Sequence, residues 1–169
     1  SIKLRLAYST IGQLSYIILG VAILAPYSIL ASILHIIFHA LGKITLFLAS
    51  GSIATRTGIK DVTKMDGLSS RLPYTCLLMS LGAFIMIGLP PTIGFISKWY
   101  LVIGIIESNQ LYLLMVIIAS TILNASYYFP LIYRSYFISK NINSEIKNEE
   151  DMQLITPVII IGLIAIILF

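Results

Sequence analysis

The chain has 169 residues, of which 58% are hydrophobic and only 11% are charged, with a formal net charge of +4. Soluble domains carry about 25% charged residues, so this composition and a mean hydropathy of +0.97 exclude an ordinary soluble fold. The single cysteine, Cys76, excludes an internal disulfide and any cysteine-ligated zinc or iron–sulfur site built by this chain alone. The positive residues flank apolar runs, which indicates membrane topology rather than nucleic-acid binding.

Five apolar runs are long enough to cross a bilayer, which predicts an all-α polytopic membrane protein with about five transmembrane helices. The third run contains two adjacent prolines, which break a helix, and it is too long for one straight crossing. We therefore expect the third helix to be discontinuous, with two halves. The runs lie at about residues 6–24, 27–55, 73–106, 111–133 and 154–169.

The polar stretch after the fourth run divides the chain. Residues 1–137 hold the first four runs, and residues 138–153 are polar and predict a cytoplasmic loop. Residues 154–169 predict a final transmembrane helix whose end has no polar flank. The chain opens at Ser1 and leads directly into the first run without signal-peptide anatomy, so we expect it to be part of a longer protein.

The positive charges test this division. If each run crosses once, nine of the eleven Lys and Arg residues fall on one side, which should be the cytoplasmic side. If the third run were a hairpin, the last cationic loop would move to the other side. The nine are Lys3, Arg5, Arg56, Lys60, Lys64, Arg71, Arg134, Lys140 and Lys147.

The other two cations, Lys43 and Lys98, lie inside apolar runs, where a lysine costs at least ~2.5 kcal/mol. Lys98 follows the predicted helix break by one turn. A broken membrane helix is tolerated where protein or water satisfies its backbone, and transporters build ion sites at such breaks. Lys98 is therefore a candidate proton carrier, and a lysine reaching to the membrane interface beside Trp99 and Tyr100 is the alternative. The break itself is formed by Gly88, Pro90, Pro91 and Gly94.

The second run carries one polar stripe on an apolar helix. At helical spacing its members fall within an arc of roughly 80°. Histidine titrates near neutral pH, so the stripe can pass protons along its length. Two other interpretations stay open. His35 and His39 have metal-ligand spacing but lack a third ligand, and the stripe could be a helix-packing surface. Its members are Ser28, Ser32, His35, His39, Lys43 and Ser50.

Two weaker polar faces occur in the first and fourth runs. They either line a pathway or hold helices together, and packing is the favoured interpretation. They contain Ser9, Gln13, Tyr16 and Gly20 in the first run, and Asn124, Tyr127 and Tyr128 in the fourth.

Four stretches resemble one known family in its own motif order: "KLRLAYSTIGQLSYIILG", "HALGKITLFLASGSI", "DGLSSRLPYT" and "GLPPTIGFISKW". They are similar to the antiporter-like, proton-conducting subunits of respiratory complex I and of multisubunit Na+/H+ (Mrp-type) antiporters. The resemblance covers about residues 1–137 and is nearest to the D-type subunits of the antiporters, with the N-type and M-type subunits of complex I close behind.

This resemblance implies a fold with two inverted repeats, each with a broken helix, of which the chain matches the later, C-terminal part. Lys98 matches the conducting lysine of the second broken helix, and His39 matches the histidine of the central hydrophilic axis, with Lys43 one turn later. Gln13 stands where some members have a histidine. Other membrane subunits, protons and possibly exchanged Na+ are the implied partners, in the bacterial inner membrane rather than the mitochondrial one.

We therefore expect proton translocation, or cation/proton antiport, through the membrane arm of a multisubunit complex. The chain shows no motif for a cofactor or for catalysis, so any NADH:quinone oxidoreductase chemistry would belong to other subunits. One alternative is an unrelated secondary transporter, which predicts a second broken helix that the sequence does not show. Another is a non-conducting structural fragment of a split or truncated gene.

The charge distribution predicts the topology. In a background without Cys76, single cysteines replacing Lys64 and Lys140 should react with a membrane-impermeant thiol reagent only from the cytoplasm. A cysteine replacing Asn109 should react only from the outside. Labelling of positions 140 and 109 from the same side would contradict a single crossing by the third run.

Overall fold

The computed structural model of the chain describes residues 1–138 and, beyond them, residues 156, 159, 160 and 163. Within this part the fold is α-helical, with two short 3-10 turns between the second and third α-helices and no β-strand. The α-helices are α1 (Ile2–Ile23), α2 (Pro26–Thr57), α3 (Pro73–Ile87), α4 (Ile93–Glu107) and α5 (Tyr112–Phe137).

The helices agree with the predicted runs. Helices α1, α2 and α5 are long and apolar enough to cross a membrane. The third run is divided into α3 and α4, which flank residues 88–92, so the predicted discontinuous helix is confirmed. The predicted loop at 138–153 and the predicted final helix at 154–169 lie outside the described residues, apart from single positions.

The helices extend further toward their charged ends than hydropathy predicted. Helix α1 begins at Ile2, so Lys3 and Arg5 lie in its first turns and not ahead of it. Helices α2 and α5 likewise include Arg56 and Arg134 near their C-terminal ends. Hydropathy underestimates such ends because long cationic side chains reach water while their backbone remains helical.

Helix α2 is central and packs against α1, α3 and α4, whereas α5 packs mainly on α3. Small residues allow this close approach. A methyl group on Gly82 of α3 would lie 2.9 Å from Cγ of Leu46 in α2. A methyl group on Gly104 of α4 would lie 2.6 Å from the backbone nitrogen of Ser28 in α2. Many large apolar side chains remain exposed around the outside of the bundle, as lipid contact requires.

The segment between α2 and α3 is attached to the ends of α1 and α5. Nη1 of Arg134 donates to Oδ1 of Asp66 and to the carbonyl of Thr63, both at 2.9 Å. The N–H of Ile2 donates to the carbonyl of Lys60 at 2.8 Å. The cationic ends of α1, α2 and α5 therefore lie at the same end of the bundle.

The break between α3 and α4 is a sharp turn in which the two helices touch. Gly88 ends α3 with φ +80°, a left-handed conformation that glycine adopts without strain. Its N–H donates to the carbonyl of Phe84 at 2.8 Å. Gly94 opens α4 so close to α3 that a methyl group on it would lie 1.8 Å from the carbonyl oxygen of Ile85. Only glycine fits at position 94.

Gly94→Ala should destabilise the fold, because the new methyl group overlaps the Ile85 carbonyl and α4 must move away. We expect a loss of about 1–3 kcal/mol, seen as lower thermal stability of the detergent-solubilised protein. Gly12→Ala is the matched control, because Gly12 lies in a helix with nothing within 4 Å of its Cβ position. Equal stability of the two variants would contradict the close contact of α3 and α4.

Candidate functional site

The helix break leaves a backbone carbonyl of α3 without its helical donor. In a continuous helix the carbonyl of Ile87 would accept from the N–H of residue 91, but Pro91 has no N–H. Nζ of Lys98 donates to this carbonyl at 2.7 Å. The lysine side chain thus folds back from α4 across the break and supplies the donor that the proline removed.

The second proline has the same effect one residue earlier. Pro90 cannot donate to the carbonyl of Met86, and Nε2 of Gln13 in α1 donates to it instead at 3.3 Å. Gln13 is 1% exposed, so its amide lies fully inside the bundle. The structure therefore places Gln13 against the break, where it satisfies a freed carbonyl.

The ammonium group of Lys98 lies inside the bundle, at 7% exposure, and not at the lipid surface. Besides Ile87, it donates to Oγ1 of Thr121 in α5 at 3.3 Å. It also lies over the ring of Tyr16 in α1, 4.8 Å from the ring centroid, a favourable cation–π contact. Within residues 1–138, the ion pairs of Asp and Glu side chains involve the chain's first amino group and Arg134, not Lys98.

Two histidines of α2 lie beside this lysine. Nδ1 of His35 shares a hydrogen bond of 2.9 Å with Oγ of Ser97, which neighbours Lys98 in α4. The rings of His35 and His39 are stacked with centroids 6.2 Å apart. Nε2 of His35 and Nδ1 of His39 are buried and have no hydrogen-bond partner among the described residues. Buried polar atoms are nearly always paired, so these two nitrogens require a small polar partner such as water.

Lys43, one turn after His39, is also only 7% exposed. Its Nζ donates to the carbonyl of Leu6 and to Oγ of Ser9, both in α1. The hydroxyl of Tyr128 in α5 donates to the same serine oxygen at 2.7 Å. The ammonium of Lys43 is therefore held by neutral oxygen atoms, as is that of Lys98.

The polar stripe of α2 divides into two parts. His35, His39 and Lys43 lie in line, and α4 brings Lys98 to the His35 end. The serines are not part of this line, because their hydroxyl groups bond to nearby backbone. Ser28 bonds to Ala25, Ser32 to Ile17 and Ser28, and Ser50 to Phe47. Among the described residues, no group of three or more His, Cys, Asp or Glu side chains converges as a metal site would require.

Several contact residues were not identified from the sequence. Packing was the favoured interpretation for Ser9, Tyr16 and Tyr128, yet each contacts a buried lysine or its partner. Ser97 and Thr121 were not considered at all. The available signal was helical spacing: positions 9, 13 and 16 share one face of α1, and positions 121, 124 and 128 share one face of α5.

The family of the chain follows from comparison with known sequences. Residues 1–124 match the family described as NADH:quinone oxidoreductase/Mrp antiporter, TM, and the chain belongs to this family. The predicted resemblance is thereby confirmed, and the chain is a multi-pass membrane protein of the antiporter-like subunits. Its greater likeness to the D-type antiporter subunits stays a prediction.

The curated relatives come from both branches of the family. The chain is 39% identical over 131 residues to NADH-quinone oxidoreductase subunit N of Desulforudis audaxviator, a match covering 78% of this chain and 26% of the relative. It is 41% identical over 108 residues to the A-type subunit of the Na(+)/H(+) antiporter of Bacillus subtilis, covering 57% and 14%. The chain thus spans about a quarter of the first relative and less of the second.

Solved structures show the same fold. A chain of the Mrp complex from Dietzia sp. DQ12-45-1b matches with a TM-score of 0.83 and 21% identity, covering 96% of this chain and 38% of that one. A chain of the membrane-bound sulfane sulfur reductase, an archaeal respiratory membrane complex, matches with a TM-score of 0.83 and 25% identity, covering 96% and 32%.

Proposed function

We propose that the chain is part of a subunit that translocates protons across a membrane within a multisubunit complex. The protons pass along a line of four side chains, here named the Lys–His axis: Lys98, His35, His39 and Lys43. Residues 1–137 would be the later part of the conducting domain. Family membership supports the function, and the contacts of the four side chains support the route.

The unpaired ring nitrogens of the two histidines are the observation that carries this proposal. Leaving a buried polar nitrogen unpaired costs about 1–3 kcal/mol, so hydration of both rings is favourable. Nε2 of His35 and Nδ1 of His39 belong to stacked neighbouring rings. Water bound to them would continue the hydrogen-bonded line from Lys98 toward Lys43. Each histidine can accept a proton on one ring nitrogen and release one from the other.

The surroundings of Lys98 suit a group that gains and loses a proton. A carboxylate beside the lysine would favour the charged form and hold the proton there. The observed partners are instead a carbonyl, a hydroxyl and an aromatic ring, all neutral. They stabilise the ammonium enough to keep it inside the bundle, and they do not fix its charge.

The relatives suggest the setting of this function. The two named above are subunits of a quinone oxidoreductase and of an Na(+)/H(+) antiporter, and both originate from bacteria. We therefore propose other membrane subunits as partners and the bacterial inner membrane as the location. Protons would be carried, with Na+ exchange as the finer possibility, and redox chemistry would belong to other subunits.

Lys98→Met in the full-length subunit should abolish most proton transport, because methionine keeps the length of the side chain and cannot carry a proton. We expect transport per assembled complex, measured in membrane vesicles, to fall about tenfold or more. Lys98→Arg should fail nearly as badly, since arginine does not release its proton at any relevant pH. Lys64→Met is the control, because Lys64 is exposed in the segment before α3.

The two substitutions also separate a relay from an anchor. A lysine that merely reaches the membrane interface would be replaced well by arginine, which keeps the charge. Near-normal proton transport in the Lys98→Arg complex would therefore contradict the relay role.

His39→Ala and Lys43→Ala should each lower proton transport while leaving the amount of assembled complex unchanged. Either change interrupts the Lys–His axis without touching the helix break. Transport per complex and complex abundance are measured on the same vesicles. Reduced abundance with normal transport per complex would instead indicate that these side chains serve packing.

A further inference from the structure

One hydroxyl group joins three helices at the Lys43 end of the axis. Nζ of Lys43 in α2 donates to Oγ of Ser9 in α1. Tyr128 in α5 is fully buried, and its hydroxyl donates to the same oxygen at 2.7 Å. Ser9 donates its own hydrogen to the carbonyl of Leu6 at 2.8 Å, and Lys43 donates to that carbonyl as well. The Ser9 hydroxyl therefore has a partner for its hydrogen and for both of its lone pairs.

The same hydroxyl can serve Lys43 in both protonation states. A charged lysine has three hydrogens and no lone pair, so it can only donate, and Ser9 accepts from it. A lysine that has lost one proton has a free lone pair on Nζ. The Ser9 hydroxyl can then rotate away from Leu6 and donate to Nζ. Tyr128 donates to Ser9 in either state, so the serine oxygen never loses its second partner.

We propose that Ser9 and Tyr128 are positioning residues for proton exchange at Lys43. Ser9 accepts from the charged lysine and donates to the neutral one, and Tyr128 fixes the serine oxygen in place. This proposal rests on the proposed function of the Lys–His axis. The proton that leaves Nζ passes through water toward the unpaired Nδ1 of His39 and returns by the same way, and no other bond is made or broken.

The neighbouring charges leave this task to the hydroxyl. The ionisable side chains around Lys43 are His39 on α2, Tyr127 and Tyr128 on α5, and Arg5 on α1, none of which is a carboxylate. Arg5 is occupied elsewhere: its Nη1 donates to the carbonyl of Tyr127 at 2.6 Å, and its guanidinium lies 4.7 Å from the Tyr127 ring centroid. Neutral oxygen atoms, and not an ion pair, therefore hold the Lys43 ammonium.

Packing alone does not explain this arrangement. Small residues are sufficient to bring membrane helices together, as Gly82 does for α3 and α2. Another serine of α1, Ser15, is exposed and bonds only to the carbonyl of Ile11 at 3.1 Å. Ser9 differs because two long side chains from two other helices converge on its oxygen.

The test measures proton transport per assembled complex in vesicles that contain the full-length subunit. We expect Ser9→Ala to lower transport about fivefold, the effect of one lost hydrogen bond, and Tyr128→Phe to lower it by less. Ser9→Thr should retain transport, because threonine keeps the hydroxyl. Adding Tyr128→Phe to Ser9→Ala should cause no further loss, since both act through one oxygen. The matched controls, Ser15→Ala and Tyr133→Phe, should transport normally.

The outcomes separate this proposal from its alternatives. A packing role predicts the reverse order at position 9, because alanine fits any space that serine fills and threonine crowds it. Normal transport in Ser9→Ala and Tyr128→Phe, with reduced transport in Lys43→Ala, would overturn the positioning roles and leave the proposed function standing. Normal transport in both Lys43→Ala and Lys98→Met would overturn the proposed function and the positioning roles together.

Discussion

Two adjacent prolines inside a membrane span remove two backbone donors, and the rest of the site depends on how this loss is compensated. Water is absent from the bilayer core, so the freed carbonyls of Met86 and Ile87 must find donors within the protein. Gln13 from α1 and Lys98 from α4 supply them. This requirement fixes the break against α1 and places an ammonium group in the interior of the bundle.

Helix α2 turns that local requirement into a continuous feature. Glycines bring α3 and α4 so close that the polar stripe of α2 faces protein and not lipid. His35 then lies beside Ser97, the neighbour of Lys98, and His39 and Lys43 continue the line along the same helix face. The surrounding partners are neutral, so the protons of these groups are not held by fixed carboxylates. Close packing, buried polarity and mobile charge are thus consequences of one arrangement.

The local features could be predicted from the sequence, and the contacts between helices could not. Adjacent prolines between glycines indicate a break wherever they occur, and the 3.6-residue period places His35, His39 and Lys43 on one face. Which side chains of α1 and α5 meet Lys43 and Lys98 depends on how those helices are shifted and rotated against α2. Ser9 and Tyr128 are 119 positions apart in the chain, so nothing in either local sequence reveals their contact. For the same reason helix packing was the favoured interpretation for both.

A high-resolution cryo-EM map of the assembled complex, with its ordered water, tests the Lys–His axis most directly. We predict Nζ of Lys98 within hydrogen-bond distance of the Ile87 carbonyl, near the 2.7 Å of this structure. We also predict water density at the unpaired nitrogens of His35 and His39. A Lys98 side chain that extends to the lipid headgroups, or histidine rings enclosed by apolar side chains without water, would contradict proton transfer along this line.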